Sequence, residues 1–118
     1  MTGTRRTFIQ TTASLLVATA FFAGSGIAQA QESVSLQISI KNHRFQPAEI
    51  RAPAGKPIAL RVKNLDSTPA EFESVSLRVE KVIAGNSEGV VNVRALQPGR
   101  YEFFDDFNPA TRGVLVVQ

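Results

Sequence analysis

Glu71 and Glu73 lie two positions apart in the stretch Glu71-Phe72-Glu73-Ser74. On a strand that spacing puts both carboxylates on one face. Asp105 and Asp106 are adjacent in a second acidic stretch, and His43, between Asn42 and Arg44, is the sole imidazole. The chain has no cysteine, so its metal ligands are carboxylates and one imidazole. Such donors suit Fe(II), Fe(III), Mn(II) or Cu(II) better than Cu(I). Carboxylates that converge repel one another when no cation is present, which raises the pKa of one of them, and a cation relieves the repulsion. Each residue also has a plainer role: Glu71 and Glu73 at a solvated sheet edge, Asp105 and Asp106 at a polar loop tip, His43 on the surface, and Glu80-Lys81 as a solvent-exposed ion pair.

The same composition excludes other chemistries. A disulfide framework, a thiolate zinc site, an iron–sulfur cluster and a cysteine nucleophile all require cysteine. A Ser-His-Asp triad would rest on His43 alone. The 118 residues leave room for one domain, and eight phenylalanines with 43% hydrophobic residues argue for a packed one. Formal charge is +3. Setting aside Arg5 and Arg6 leaves 11 basic side chains against 10 acidic, a net +1 with no basic cluster, so charge gives no case for nucleic-acid binding.

Residues 1–30 read as an export signal. Thr4-Arg5-Arg6-Thr7-Phe8-Ile9-Gln10 fits a twin-arginine (Tat-type) motif. A moderately apolar run from Thr11 to Ile27 follows, ending in the small-x-small pattern Ala28-Gln29-Ala30. The run is short for a membrane span and is interrupted by small residues. Cleavage is therefore expected, with a single domain over residues 31–118 delivered to the periplasm and touching the membrane only through the uncleaved signal.

That domain reads as strands. Val34, Leu36, Ile38 and Ile40 alternate with polar residues, as do Ile58, Leu60 and Val62. Short extended pieces are expected at Glu49–Ala52, from Glu71, at Val90–Leu96, around Tyr101 and Phe103, and at Val114–Val117. Phe45-Gln46-Pro47 breaks the first strand, and Pro53-Ala54-Gly55-Lys56 and Gln97-Pro98-Gly99-Arg100 are turns. Val75–Val82 is ambiguous, and Asp105–Arg112 reads as a loop. Phe72, Tyr101, Phe103, Phe104 and Phe107 are expected in the core. Short strands at regular spacing imply an all-β sandwich or barrel.

The order of these signals resembles a small cupredoxin. The matching pieces are Phe45-Gln46-Pro47 with Ile50, Pro53 to Ile58, Leu60 to Asn64, Leu96 to Phe103, and Gly113-Val114-Leu115-Val116-Val117. The resemblance implies a Greek-key β-sandwich of about seven to eight strands. Electron-transfer cupredoxins hold copper with two His, one Cys and one Met. Here the corresponding positions fall near Ala70-Glu71, on Asp105, on Asn108 and near Thr111-Arg112, which rules out a blue-copper electron carrier.

Glu71-Phe72-Glu73-Ser74, Glu80-Lys81-Val82-Ile83 and Tyr101 to Phe107 are similar to the iron-uptake cupredoxin-like proteins, the EfeO type and those accompanying iron permeases. That resemblance implies a periplasmic metal-binding accessory handling an iron or copper ion for a membrane iron permease or a periplasmic iron-binding protein. In such a sandwich Glu71, Asp105 and His43 approach one end, so the expected ligands are Glu71, Asp105, His43, Glu73 and Asp106. The alternative is a metal-free β-sandwich serving as an interaction module for another periplasmic protein. An enzyme acting alone, a ferroxidase, would need an electron acceptor that the sequence does not show.

Overall fold

The computed structural model describes Gly3 and residues 32–118; the export-signal reading of residues 1–30 otherwise lies outside the described residues. Nine strands follow in order: β1 (Val34–Lys41), β2 (Arg44–Gln46), β3 (Glu49–Ala52), β4 (Ile58–Asn64), β5 (Ala70–Ser74), β6 (Val79–Ile83), β7 (Ser87–Val93), β8 (Gly99–Asp105) and β9 (Asn108–Val117). They form two sheets, β2-β1-β4-β7 and β3-β9-β8-β5-β6. β1 with β4, and β3 with β9, pair in parallel; the remaining neighbours are antiparallel. The all-β sandwich expected from the alternation is what forms.

Period-two patterning fixes which face of each strand meets the other sheet. Ile38 and Ile40 on β1, Ile58, Leu60 and Val62 on β4, and Val91 and Val93 on β7 are buried. From the opposing sheet they meet Ile50, Phe72, Phe103, Leu115 and Val117. At one end Phe45, Phe72 and Phe103 join the sheets. Phe45 meets Phe103 edge-on at 4.9 Å between ring centroids, and Phe72 stacks on Phe103 at 5.0 Å. Aromatic contacts of this kind add about 0.5–1.5 kcal/mol beyond the area they bury.

The aromatic expectation holds for Phe72 and Phe103, holds in part for Tyr101, which packs against that core, and is corrected for Phe104 and Phe107. Tyr101 and Phe104 are half-buried, and Phe107 is 49% exposed. Phe104 follows Phe103 on the same strand and so points to the outer face. The loop expected over Asp105–Arg112 is a hairpin instead: Asp106 and Phe107 alone turn the chain, with a register shift at Phe104/Asp105. The Asp105 carboxylate stabilises the turn by accepting the Phe107 N–H at 3.0 Å. The ambiguous stretch resolves into a turn over Val75–Arg78 followed by β6. Phe45 lies in a short strand, β2, because Asn42 and His43 both take positive φ (53° and 55°) and fold it back on β1. Two such residues form the turn whose twist matches a hairpin.

Two buried polar groups hold the loops near the site. Asn64 is 1% exposed; its amide donates to the Thr68 C=O at 2.8 Å and the Ile83 C=O at 3.2 Å. Its Oδ1 accepts the Asp66 N–H at 3.1 Å, so one side chain joins the β4–β5 loop to the end of β6. Ser74 Oγ donates to the Glu102 C=O and accepts the Leu77 N–H, which fixes the β5–β6 turn.

Candidate metal centre

On β5 the residues Ala70, Phe72 and Ser74 face the core, which turns Glu71 and Glu73 toward the outer face of the five-stranded sheet. β6 pairs antiparallel with β5, placing Glu80 directly opposite Glu73 and Val82 opposite Glu71. The β8–β9 turn supplies Asp106. Its N–H donates to the Glu71 C=O at 2.9 Å, and the Glu71 N–H donates to Asp105 Oδ1 at 2.9 Å. The Glu71 backbone is thus held on both sides, by the last residue of β8 and the first residue of the turn that follows it.

Carboxylate oxygens of Glu71, Glu73 and Asp106 lie within 4.8 Å of one another. Glu71 is only 9% exposed. Its pKa is pushed up from 4.5 to about 7, first by a hydrogen bond with Glu80, then by burial, then by the charges of Glu80, Asp106 and Glu73. Glu73 is also raised, by burial first and then by the charges of Asp106 and Glu80. No Lys or Arg approaches the three carboxylates within 4 Å among the described residues. This is the uncompensated like-charge arrangement that a cation would relieve. An all-oxygen set suits hard or borderline cations.

Of the five expected ligands, the structure brings together Glu71, Glu73 and Asp106. It places the other two elsewhere. Asp105 is 1% exposed and faces inward; both of its oxygens are engaged, Oδ1 by the N–H groups of Glu71 and Phe107 and Oδ2 by the Asn108 amide at 3.3 Å. It positions the site without lining it. His43 lies in the β1–β2 turn, with its N–H on Asp66 Oδ2 at 2.9 Å and Nδ1 3.9 Å from the same oxygen. The Asp66 carboxyl is held below its ordinary pKa, chiefly by that His43 N–H.

Sequence reading passed over Glu80, treating Glu80-Lys81 as a solvent ion pair. Lys81 instead crosses the open edge of the sandwich and donates to the Val90 C=O at 3.0 Å, leaving Glu80 facing Glu73. A hairpin reading of Glu71–Ser74 with Glu80–Ile83 across the Val75–Arg78 turn would have revealed it.

The positions that the resemblance to electron-transfer cupredoxins would assign to copper ligands hold groups already engaged elsewhere or without a donor. Ala70 is buried and offers no donor, Asp105 and Asn108 bond to each other and to backbone, and Thr111 donates its hydroxyl to the His43 C=O. A blue-copper centre also needs a thiolate, and the chain has none.

Comparison with known proteins agrees with the architecture. The chain belongs to the cupredoxin-like domain family, whose sequence profile matches residues 12–117. It is 35% identical over 85 residues to the uncharacterized protein RP394 of Rickettsia prowazekii (strain Madrid E), covering 71% of this chain and 68% of that one. Among solved structures it is similar to the metal-binding domain of the Cu(I)-exporting P-type ATPase CopA of Streptococcus pneumoniae D39. The TM-score there is 0.62 at 19% identity, over 71% of this chain and 84% of that chain. It is also similar to auracyanin A, a blue copper protein of Chloroflexus aurantiacus, with TM-score 0.62 at 17% identity over 74% and 100%. At these identities the structural likeness is one of fold.

Proposed function

We propose that this chain is an exported metal-binding accessory of iron or copper uptake. In this reading it holds Fe(II) or Cu(II) as cargo through Glu71, Glu73 and Asp106, with Glu80 beside them, and works with a membrane iron permease or a periplasmic iron-binding protein. The observation that carries the reading is the convergence of three carboxylates around the nine-tenths-buried Glu71, with no Lys or Arg among the described residues within 4 Å to neutralise them. Folding keeps this arrangement although it raises the pKa of Glu71 and Glu73, which is the pattern expected where a group is held ready for a ligand. The resemblance of the acidic stretches to EfeO-type proteins supports iron as the cargo and the permease as the partner. The twin-arginine motif supports delivery to the periplasm and removal of residues 1–30. The copper-related neighbours support a metal role in general terms. Exposed Val82 and Phe107 flank the acids and provide apolar surface for a receiving protein.

Equilibrium dialysis of the purified protein against Fe(II), Cu(II) and Mn(II), followed by elemental analysis, tests the cargo. One equivalent of metal retained by the native protein and lost from Glu71→Gln supports the reading. For the partner, deletion of the chain should slow permease-dependent iron uptake by cells, and the Glu71→Gln variant should fail to restore it. Full restoration by that variant would favour the metal-free interaction module.

A further inference from the structure

The alternation that buries Ile38 and Ile40 on β1 and Leu60 and Val62 on β4 also decides what the smaller sheet shows to solvent. Its outer face carries Lys41 on β1, Arg44 on β2, and Arg61 and Lys63 on β4, against one carboxylate, Glu88 on β7, a formal +3. These bases lie apart along the chain, so the sequence shows no basic cluster; strand pairing gathers them. Lys41 stands directly opposite Arg44, a like-charge pair that costs stability. Among the described residues no carboxylate comes within 4 Å of any of the four. Asp66 feels the charge of Lys41, but its oxygens are already taken by the N–H groups of Asn42 and His43. Arg61 is the single charged group lining a groove of about 330 Å³, whose other walls are Ser35, Leu36, Gln37, Ala59 and Val90. The outer face of the larger sheet has the opposite sign. There Arg51, Arg100 and Arg112 are outnumbered by Glu49, Glu80, Glu102 and the three acids of the carboxylate cluster, a formal −3.

We propose that the outer face of the smaller sheet docks on an anionic bilayer surface, with Lys41, Arg44, Arg61 and Lys63 reaching headgroup phosphates and the acidic face of the molecule turned away. The inference stands apart from the metal reading. Charge complementarity carries it: the four bases lack carboxylate partners in the protein, and phosphate oxygens would relieve the repulsion between Lys41 and Arg44. A guanidinium presents a planar fork of N–H donors matched to phosphate, so Arg61 in its groove is placed to hold one headgroup. The composition of the face favours lipid over a protein partner. Protein interfaces are anchored by aromatic side chains and are poor in lysine. Here Phe45 points inward, no aromatic residue stands on the outer side of β1, β2, β4 or β7, and Val90 is the exposed large apolar residue of those strands. A surface of this kind binds by charge, each Lys or Arg near anionic headgroups adding about fivefold to partitioning. The opposite sign of the two faces also orients the molecule, because a bilayer that attracts one repels the other.

The test is co-sedimentation with vesicles of phosphatidylcholine alone and of an equal mixture of phosphatidylcholine and phosphatidylglycerol. It uses the protein without residues 1–30, whose apolar run would itself bind lipid; all nine strands and the whole core cluster lie in the remainder, so the fold is retained. Native protein should partition onto the anionic vesicles at least tenfold more strongly than onto the neutral ones, and added salt should weaken that binding. An Arg61→Gln, Lys63→Gln double variant with native circular dichroism should lose at least tenfold. An Arg51→Gln, Arg100→Gln double variant, which removes the same charge from the opposite face, should stay within twofold of native. Equal partitioning of native protein onto the two kinds of vesicle overturns the proposal and leaves an acidic protein surface as the occupant. Equal losses in the two double variants overturn it as well, since binding would then follow net charge and not this face.

Discussion

Asp105 Oδ1 accepts the Glu71 N–H at 2.9 Å, so a buried carboxylate at the end of β8 fixes the backbone of the residue most central to the carboxylate cluster. Asp105 is buried and accepts three hydrogen bonds in all. Its replacement by Ala leaves buried donors unsatisfied, at about 1–3 kcal/mol for each one stranded. Asp105→Ala should therefore lower stability by roughly 2–4 kcal/mol in denaturant unfolding, several times the cost of Asp106→Ala. Metal affinity should show the opposite ranking in the protein that remains folded, with Asp106→Ala the more damaging.

The carboxylate cluster makes stability depend on pH. Glu71 titrates near 4.5 when unfolded and near 7 when folded, because its hydrogen bond with Glu80, its burial and the neighbouring charges all favour the protonated form. Its stabilising contribution is complete below about pH 4.5 and is lost as pH rises through about 7. The thermal midpoint of the metal-free protein should fall over that window, and Glu71→Gln should flatten the fall. Metal affinity should run the other way, rising from pH 5 to pH 8 as protons leave the ligands. Equal affinity at the two ends would contradict the assignment of Glu71.

Copper bound here should not be blue. With no thiolate in the chain, the Cu(II)-loaded protein should lack an intense visible thiolate-to-copper charge-transfer band and show only weak ligand-field absorption. Electron paramagnetic resonance should report oxygen ligation that changes in Glu73→Gln.

Gly113 pairs with Phe103 across β8 and β9 at the aromatic end of the core. A Cβ on it would collide with the Phe103 ring and with the Ala48 C=O, which lies 2.9 Å from that position. Gly113→Ala should cost about 1–3 kcal/mol through overpacking. For a domain of this size that is a drop of about 4–8 °C in thermal midpoint per kcal/mol.

The fold was legible where one face of a strand is apolar and the other polar. Val34–Ile40 and Ile58–Val62 show that alternation, and they pair in register across β1 and β4. It was less legible where a side chain replaces a loop's ordinary signals. The turn at Asp106-Phe107 contains no glycine; Asp105 supplies its stabilising acceptor from within the strand. The site was legible in part for a related reason. Spacing of two marks Glu71 and Glu73 as sharing a face, and adjacency brings Asp106 into consideration. Which of Asp105 and Asp106 faces outward depends on the register shift at Phe104/Asp105, which no local pattern encodes. Glu80 depends on cross-strand pairing, and His43 on a turn that directs it to Asp66.

The most direct test of the central claim is calorimetric titration of the purified protein with Cu(II) and with anaerobic Fe(II), beside a Glu71→Gln, Glu73→Gln double variant whose circular dichroism matches native. The native protein should bind one equivalent at micromolar affinity or tighter, and the variant should lose at least a hundredfold. Absence of binding by the native protein, or equal binding by the variant, would contradict the claim.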